Sequence, residues 1–165
     1  MLMNKWIVYA FLSILLASLF LIGCAPATEN VEGENWVIFS AEYAKENRFG
    51  TGLVPASTDL EYWTPTEADI RALEDDLPSF LQSNSDQFFV TQSPPWERLS
   101  EYQRQYIGLM INGEQVIYAN YFCRSFNENW NKEFVFVLDG GACYFQFKNN
   151  PQSGEFFDLH VNGEA

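Results

Sequence analysis

Residues 104–123 carry the strongest constraint on what this chain can fold into. They read RQYIGLMI, then Asn112-Gly113, then EQVIYANYFC. Asn-Gly fits a type I′ turn, in which both central residues have a positive φ, and this turn closes a two-residue β-hairpin. Such a turn pairs Ile111 with Glu114 and leaves two faces that are both fairly apolar. We therefore expect a central hairpin, covered by a helix on one side and by another part of the chain on the other.

Residues 64–83 show the clearest helical pattern. Thr64 fits the N-cap, Pro65 the first helical position and Glu67 the return bond of a capping box. Pro78 lacks the N–H that would bond four residues back, so we expect a kink or a stop there. Apolar residues at helical spacing form one face that suits a core: Ile70, Leu73, Leu77, Phe80 and Leu81.

Three further segments predict strands. Residues 35–43 start as one, residues 133–148 form a second hairpin around Asp139-Gly140-Gly141, and residues 156–161 form the last. The sequence therefore predicts an α+β fold with one main amphipathic helix packed on an antiparallel sheet of five to six strands. By fold-level analogy alone, the order of helix then strands resembles cystatin-like and NTF2-like architectures.

The N-terminus has the layout of a secretory signal, with one lysine before a largely apolar run over residues 6–22. The run is at the lower limit of length for crossing a bilayer. It ends in Leu21-Ile22-Gly23-Cys24, which resembles the lipobox of bacterial lipoproteins. The resemblance implies cleavage before Cys24 and a diacylglyceryl group on its thiol. The alternative is an uncut signal anchor with an ordinary thiol at this position.

The domain organisation and location follow from that leader. Residues 1–23 are expected to be a signal peptide, residues 24–34 a lipid-anchored flexible linker, and residues 35–165 a single α+β domain. A diacylglyceryl group carries two acyl chains, such as palmitate, and two chains hold a protein stably at a membrane. We expect a lipid-anchored protein of the bacterial cell envelope. Ala25, in place of the Asp that retains enterobacterial lipoproteins at the inner membrane, favours the outer membrane where the host has one.

The net charge limits the classes of partner that are expected. The chain has 22 acidic residues against nine lysines and arginines, a net charge of -13. Nucleic acid requires a basic footprint, and anionic lipid surfaces also attract basic residues. Neither is expected as a partner, and the acidity is typical of a solvated surface. The expected partners are the membrane, through the lipid on Cys24, and an envelope protein or small ligand.

The two remaining cysteines, Cys123 and Cys143, leave two interpretations open. An exported chain with two cysteines favours a disulfide. In a plain up-and-down meander, however, one strand separates them by roughly 17 Å, whereas a disulfide needs Cα atoms within about 7 Å. Either residues 124–132 reorganise the path of the chain, or both thiols are free and buried.

No motif for catalysis, metal binding or a cofactor is recognised in the sequence, so we predict none of these. Asp158 and His160 would share one face of the last strand, and Asp139 lies in a predicted turn. These three residues give the alternative of a hydrolase, for which no nucleophile is evident. A polar outer strand face explains the same pattern without chemistry.

Three tryptophans, Trp63, Trp96 and Trp130, lie in predicted loops or at element ends. Exposed aromatic rings form platforms for sugars, peptides or protein surfaces, and they also seal the edge of a core. The sequence thus predicts a non-enzymatic envelope lipoprotein that acts as a binding, inhibitory or assembly module. The hydrolase is the alternative.

Overall fold

The computed structural model describes residues 29–49, 60–89, 93–123 and 128–163. The predicted signal peptide, Cys24 and the first part of the predicted linker lie outside the described residues. Within the described ranges, no helix is both long and apolar enough to cross a bilayer.

Seven strands and two helices form the described part of the chain, which is an α+β fold with one main helix and a mostly antiparallel open sheet. The strand count exceeds the predicted five to six. The helices are α1 (Ala41–Glu46) and α2 (Glu67–Ser83). The strands are β1 (Val31–Glu32), β2 (Trp36–Phe39), β3 (Glu61–Trp63), β4 (Gln103–Ile111), β5 (Glu114–Phe122), β6 (Tyr144–Asn149) and β7 (Phe156–Val161).

The sheet has the order β1-β2-β4-β5-β6-β7, with β3 also paired to β4. Two short strands share the outer edge of β4, because β2 pairs with Arg104 to Ile107 and β3 pairs with Gly108 to Met110. β2 runs parallel to β4, whereas the other pairs are antiparallel. The sheet is therefore not the plain meander that the sequence suggested.

The β4–β5 hairpin forms in the predicted register. It pairs Ile111 with Glu114 and continues to Gln103 opposite Phe122. Asn112 has φ 53° and Gly113 has φ 83°. Both turn residues thus occupy the left-handed region that a type I′ turn requires, and the predicted hairpin is confirmed.

Both faces of that hairpin are covered, as predicted. On the first face lies the helix-side core, where one stripe of α2 (Ile70, Leu73, Leu77, Leu81) packs on Ile38, Tyr106, Ile117, Ala119, Tyr121, Phe145 and Phe147. On the other face lies the second core, made of Val37, Phe39, Ala44, Phe49, Ile107, Leu109 and Tyr118.

The start of α2 lies two residues later than predicted. The Thr66 hydroxyl accepts the Asp69 N–H at 3.2 Å, and the Asp69 carboxylate accepts the Thr66 N–H at 2.8 Å. This reciprocal pair satisfies N–H groups that have no partner within the helix. Thr64 instead accepts the N–H of Ala41 at 2.9 Å. The side chain expected to cap α2 is therefore engaged at the start of α1.

Pro78 does not stop α2, which continues to Ser83. Leu77 and Leu81 are fully buried on either side of it. Burying a leucine contributes roughly 1.5–3 kcal/mol, which offsets the bond that the proline cannot make to Glu74. The predicted stop is wrong because tertiary packing outweighs the local preference.

Residues 133–138, predicted as a strand, do not join the sheet. The place beside β5 is taken by β6, which pairs Tyr144 with Phe122. Residues 128–139, hereafter the strap, instead pack against the second core, where Trp130 and Phe134 contact it. The predicted second hairpin around Asp139-Gly140-Gly141 is wrong.

Cys123 and Cys143 are joined in a disulfide with Cα atoms 5.1 Å apart. The N–H of Cys123 also donates to the carbonyl of Cys143 at 2.9 Å. The two cysteines meet because the described residues between them form no sheet strand, so β5 ends where β6 begins.

A bulge in the β6–β7 pair changes which residues of β7 face the core. The register shifts between Gln146 and Lys148, and Asp158 has φ 51°. An extra residue of this kind reverses the alternation of side chains. Phe156 and Leu159 consequently both contact the helix-side core. A regular strand would place Phe157 and Leu159 on one face and Phe156 on the other, so β7 does not keep regular alternation through Asp158.

The folded part of the chain begins inside the predicted linker. Val31 pairs with Ile38 and Glu32 with Val37, which makes β1 an edge strand. Gly33 turns the chain between β1 and β2, and a Cβ added there would lie 2.3 Å from the Trp36 ring.

Candidate functional site

The backbone of the strap is held by two buried side-chain amides on the sheet. Gln105 donates to the carbonyls of Trp130 at 2.5 Å and Glu133 at 2.7 Å, and its oxygen accepts the Val135 N–H at 3.0 Å. Asn120 donates to the Val135 carbonyl at 2.8 Å and to the Gln105 oxygen at 3.0 Å. These amides make the bonds that a neighbouring strand would make, so their burial leaves them satisfied.

Further hydrogen bonds attach both ends of the strap. Near its start, the Tyr43 hydroxyl donates to the Lys132 carbonyl at 2.7 Å. Near its end, the Asn162 amide donates to the carbonyls of Val137 at 2.6 Å and Asp139 at 3.1 Å. The strap is thus fixed along its length before any partner arrives.

Two large apolar side chains of the strap point into solvent. Phe136 is 73% exposed and Leu138 is 79% exposed. The third described large apolar side chain with such exposure is Phe89, at 70%, which lies outside the strap. Scattered exposed apolar residues are ordinary, whereas neighbouring ones mark interaction surfaces. Phe136 and Leu138 are two residues apart on a fixed segment, so they form one small apolar surface.

A groove of about 450 Å³ lies between α1 and the strap. Its aromatic wall is continuous, because the Phe49 ring lies 5.9 Å from that of Tyr43 and 5.7 Å from that of Phe134. The groove is lined by Tyr43, Asn47, Phe49, Asn129, Lys132, Glu133 and Phe134.

The three candidate tryptophans are not brought together. Trp63 and Trp96 pack against the helix-side core, whereas Trp130 packs against the second core on the opposite face. All three are half-buried. The indole N–H of Trp63 donates to the Leu109 and Val116 carbonyls at 3.2 and 3.3 Å. Their contacts are those of residues that seal core edges.

The three residues of the hydrolase alternative are exposed. The Asp158 carboxylate accepts from the Lys148 ammonium at 2.9 Å, so this acid is engaged by a cation. Asp139 lies at the end of the strap in an isolated bridge to Gly163, and His160 lies on β7. No group of acids, histidines and cysteines in the described ranges is arranged to hold a metal ion.

A polar network within the helix-side core links α2 to the sheet. The Glu74 carboxylate accepts from Arg104 at 2.6 Å and from the Tyr106 hydroxyl at 2.5 Å. The hydroxyls of Tyr106 and Tyr121 lie 2.8 Å apart. Burial, followed by the neighbouring ionisable groups, raises the pKa of both tyrosines above the usual value of 10.0. The hydroxyls therefore stay protonated at neutral pH and hold the carboxylate in place.

The residues that fix the strap were not identified from the sequence. The sequence did contain one indication of these residues: the register set by the Asn-Gly turn places Gln105 opposite Asn120. Two polar amides facing each other in an otherwise apolar hairpin need partners when buried. By contrast, Phe136 and Leu138 lie in an apolar run that reads as a strand, and nothing in that run indicates exposure.

Comparisons with known proteins give no match: no family model, no curated protein and no solved structure is significantly similar to this chain. The prediction that the chain carries no recognised functional family is thereby confirmed.

Proposed function

We propose that this protein is a lipid-anchored module of the bacterial cell envelope that binds, inhibits or assembles with a partner and catalyses no reaction. The observation that carries the proposal is the exposure of Phe136 and Leu138 on a fixed strap. Covering a large apolar side chain contributes roughly 1.5–3 kcal/mol. Because the strap backbone is already hydrogen-bonded to Gln105 and Asn120, little further ordering opposes binding.

The lipid on Cys24 supplies the location in this proposal. β1 begins at Val31, seven positions after Cys24. A flexible chain of that length spans about 15 Å on average. The domain would therefore stay close to the membrane surface and meet partners there, at the outer membrane where the host has one.

A cystatin-like or NTF2-like arrangement belongs to this proposal only as an analogy. One main helix on a mostly antiparallel sheet supports it, whereas the parallel pairing of β2 with β4 departs from a simple meander. Fold-level likeness by itself assigns no activity. The hydrolase alternative gains no comparable support, since Asp158 is paired with Lys148.

The test compares three full-length tagged proteins, each expressed in the native host and crosslinked in intact cells. In the first variant, Phe136→Ser and Leu138→Ser are combined. The control is Phe89→Ser, which removes an equally exposed apolar side chain away from the strap. We expect the crosslinked partner to fall at least tenfold in the double variant, which corresponds to about 1.4 kcal/mol, and to persist in the control. Equal recovery from both variants would contradict the proposal.

A further inference from the structure

The strap has one occupied backbone edge and one open edge. The carbonyls of Glu133 and Val137, and both backbone groups of Val135, bond to side chains of the sheet. Bonded groups on every second residue indicate an extended chain, in which alternate residues direct their N–H and C=O to opposite edges. Within the described ranges, no hydrogen bond is found for the N–H and C=O groups of Phe136 or for the N–H of Leu138. These groups form the open edge.

The strap differs in this respect from the true edges of the sheet. β1 has only two residues, and β3, which among the described strands pairs only with β4, has three. β7 is interrupted by its bulge at Asp158 and carries exposed polar side chains there and at His160. Short strands, bulges and charges are the devices that keep sheet edges from pairing with other chains. Residues 134–138 are all apolar, with no proline or glycine, so the open edge has none of these protections.

We propose that the strap binds an extended, basic segment of a partner protein by strand addition. Backbone groups of the added segment bond to those of Phe136 and Leu138, and its apolar side chains cover the two exposed ones. This inference rests on the proposed function and names the kind of partner and the mode of binding.

The negative charge of this protein favours a basic segment over a second copy of the chain or an anionic bilayer as the occupant of the strap. Glu133 and Asp139 stand at the two ends of the open edge, and the chain as a whole carries a net charge of -13 despite Lys132 nearby. A segment with lysine or arginine is attracted to such a surface. A second copy of this acidic chain is repelled, as is an anionic bilayer.

The first experiment uses full-length protein in detergent micelles and a synthetic nine-residue peptide of alternating lysine and valine. The control peptide carries backbone N-methyl groups on its three central residues, which block both of its edges and leave its charge unchanged. We expect the control to bind at least tenfold more weakly. Amide hydrogen exchange at Phe136 and Leu138 should slow at least tenfold with the unmodified peptide. Equal binding of the two peptides, or protection that maps to β7, would overturn the inference.

A second variant separates this inference from the proposed function. Replacing Phe136 with phenyllactic acid converts its amide to an ester, which removes the N–H and keeps the phenyl ring. The ester also makes the Val135 carbonyl a weaker acceptor for Asn120, so we expect a small fall in melting temperature with the strap still in place, and at least tenfold weaker binding of the peptide. If the ester variant binds the peptide as well as the wild type, strand addition is wrong, while the crosslinking test of the Phe136 and Leu138 side chains stands. Self-association through the strap in sedimentation equilibrium, or vesicle binding lost in the Phe136→Ser variant, would also contradict the basic segment as occupant.

Discussion

At the residue scale, Gly108 shows how closely β3 approaches β4. A Cβ added at this position would lie 2.2 Å from the Trp63 carbonyl oxygen and 2.9 Å from Pro65. The nearest atom belongs to the backbone, so the strand itself would have to move. The glycine is required for the close approach of the two strands rather than for a turn.

We expect Gly108→Ala to destabilise the protein by about 1–3 kcal/mol, the usual cost of overpacking. Urea denaturation of the purified protein measures the change. Gly163→Ala is the matched control, because a Cβ there would meet nothing within 4 Å, and its effect should be within about 0.5 kcal/mol. Similar losses in both variants would show that the Trp63 contact is not the cause.

The buried tyrosine pair makes stability depend on pH in the alkaline range. Burial raises the pKa of Tyr106 and Tyr121 above the usual 10.0, so the folded state holds their protons more tightly than the unfolded state does. Their contribution is therefore complete below pH 10 and is lost as the pH rises above it. We expect the urea midpoint to stay level up to about pH 10 and to fall as the pH rises from about 10 to about 11. The double variant Tyr106→Phe with Tyr121→Phe should show a smaller fall. If its urea midpoint falls as steeply with pH as that of the wild type, this assignment is wrong.

At the scale of elements, the strap is a connection that replaces a strand. Its backbone bonds go to Gln105, Asn120 and Asn162 rather than to a neighbouring strand. This leaves β6 free to pair with β5 and brings Cys123 and Cys143 to the same end of the sheet. One pair of amides in the hairpin therefore determines the path of the chain after β5.

We expect Gln105→Leu to destabilise the protein by about 2–4 kcal/mol and to speed amide exchange at Val135. The leucine has similar volume but leaves the Glu133 carbonyl and the Val135 N–H without their partner, and each buried orphan group costs about 1–3 kcal/mol. Gln115→Leu, on the opposite face of the hairpin, is the control and should change little. Unchanged exchange at Val135 in the Gln105 variant would contradict the assigned role.

The elements that the sequence predicted are those whose signals are local. The Asn112-Gly113 turn sets the register of β4 and β5, and the spacing of Ile70 to Leu81 identifies the buried face of α2. The strap and the β7 bulge depend on contacts between residues far apart in the chain. The sequence pattern of residues 133–138 is typical of a strand, and it is the same whether the backbone bonds to a neighbouring strand or to buried side-chain amides. For the same reason, no residue of the candidate surface was predicted.

At the scale of the whole molecule, the proposed function assigns membrane attachment to the N-terminal leader region and partner binding to the folded domain. The domain itself offers no described helix that could cross a bilayer. In the proposed function, the lipid on Cys24 holds the protein at the membrane.

We expect Cys24→Ser to leave the leader uncut and the thioether-linked lipid absent, because the cleavage that the lipobox implies follows modification of the thiol. Mass spectrometry of the intact protein reports both features. The matched control is Cys123→Ser with Cys143→Ser, which should still acquire the lipid. An unmodified sulfur at Cys24 in the natural product, with the leader still attached, would contradict the anchor.

If the protein is tethered as proposed, the disulfide between Cys123 and Cys143 has a mechanical consequence. A module attached to a bilayer at one end and to a partner at the other is under tension whenever the two move apart. The crosslink spans 20 residues of sequence and closes the loop that contains the strap. A force applied to the strap is therefore carried by the disulfide to β5 and β6 together. The length of chain that can extend under this force is limited to the loop that the disulfide closes.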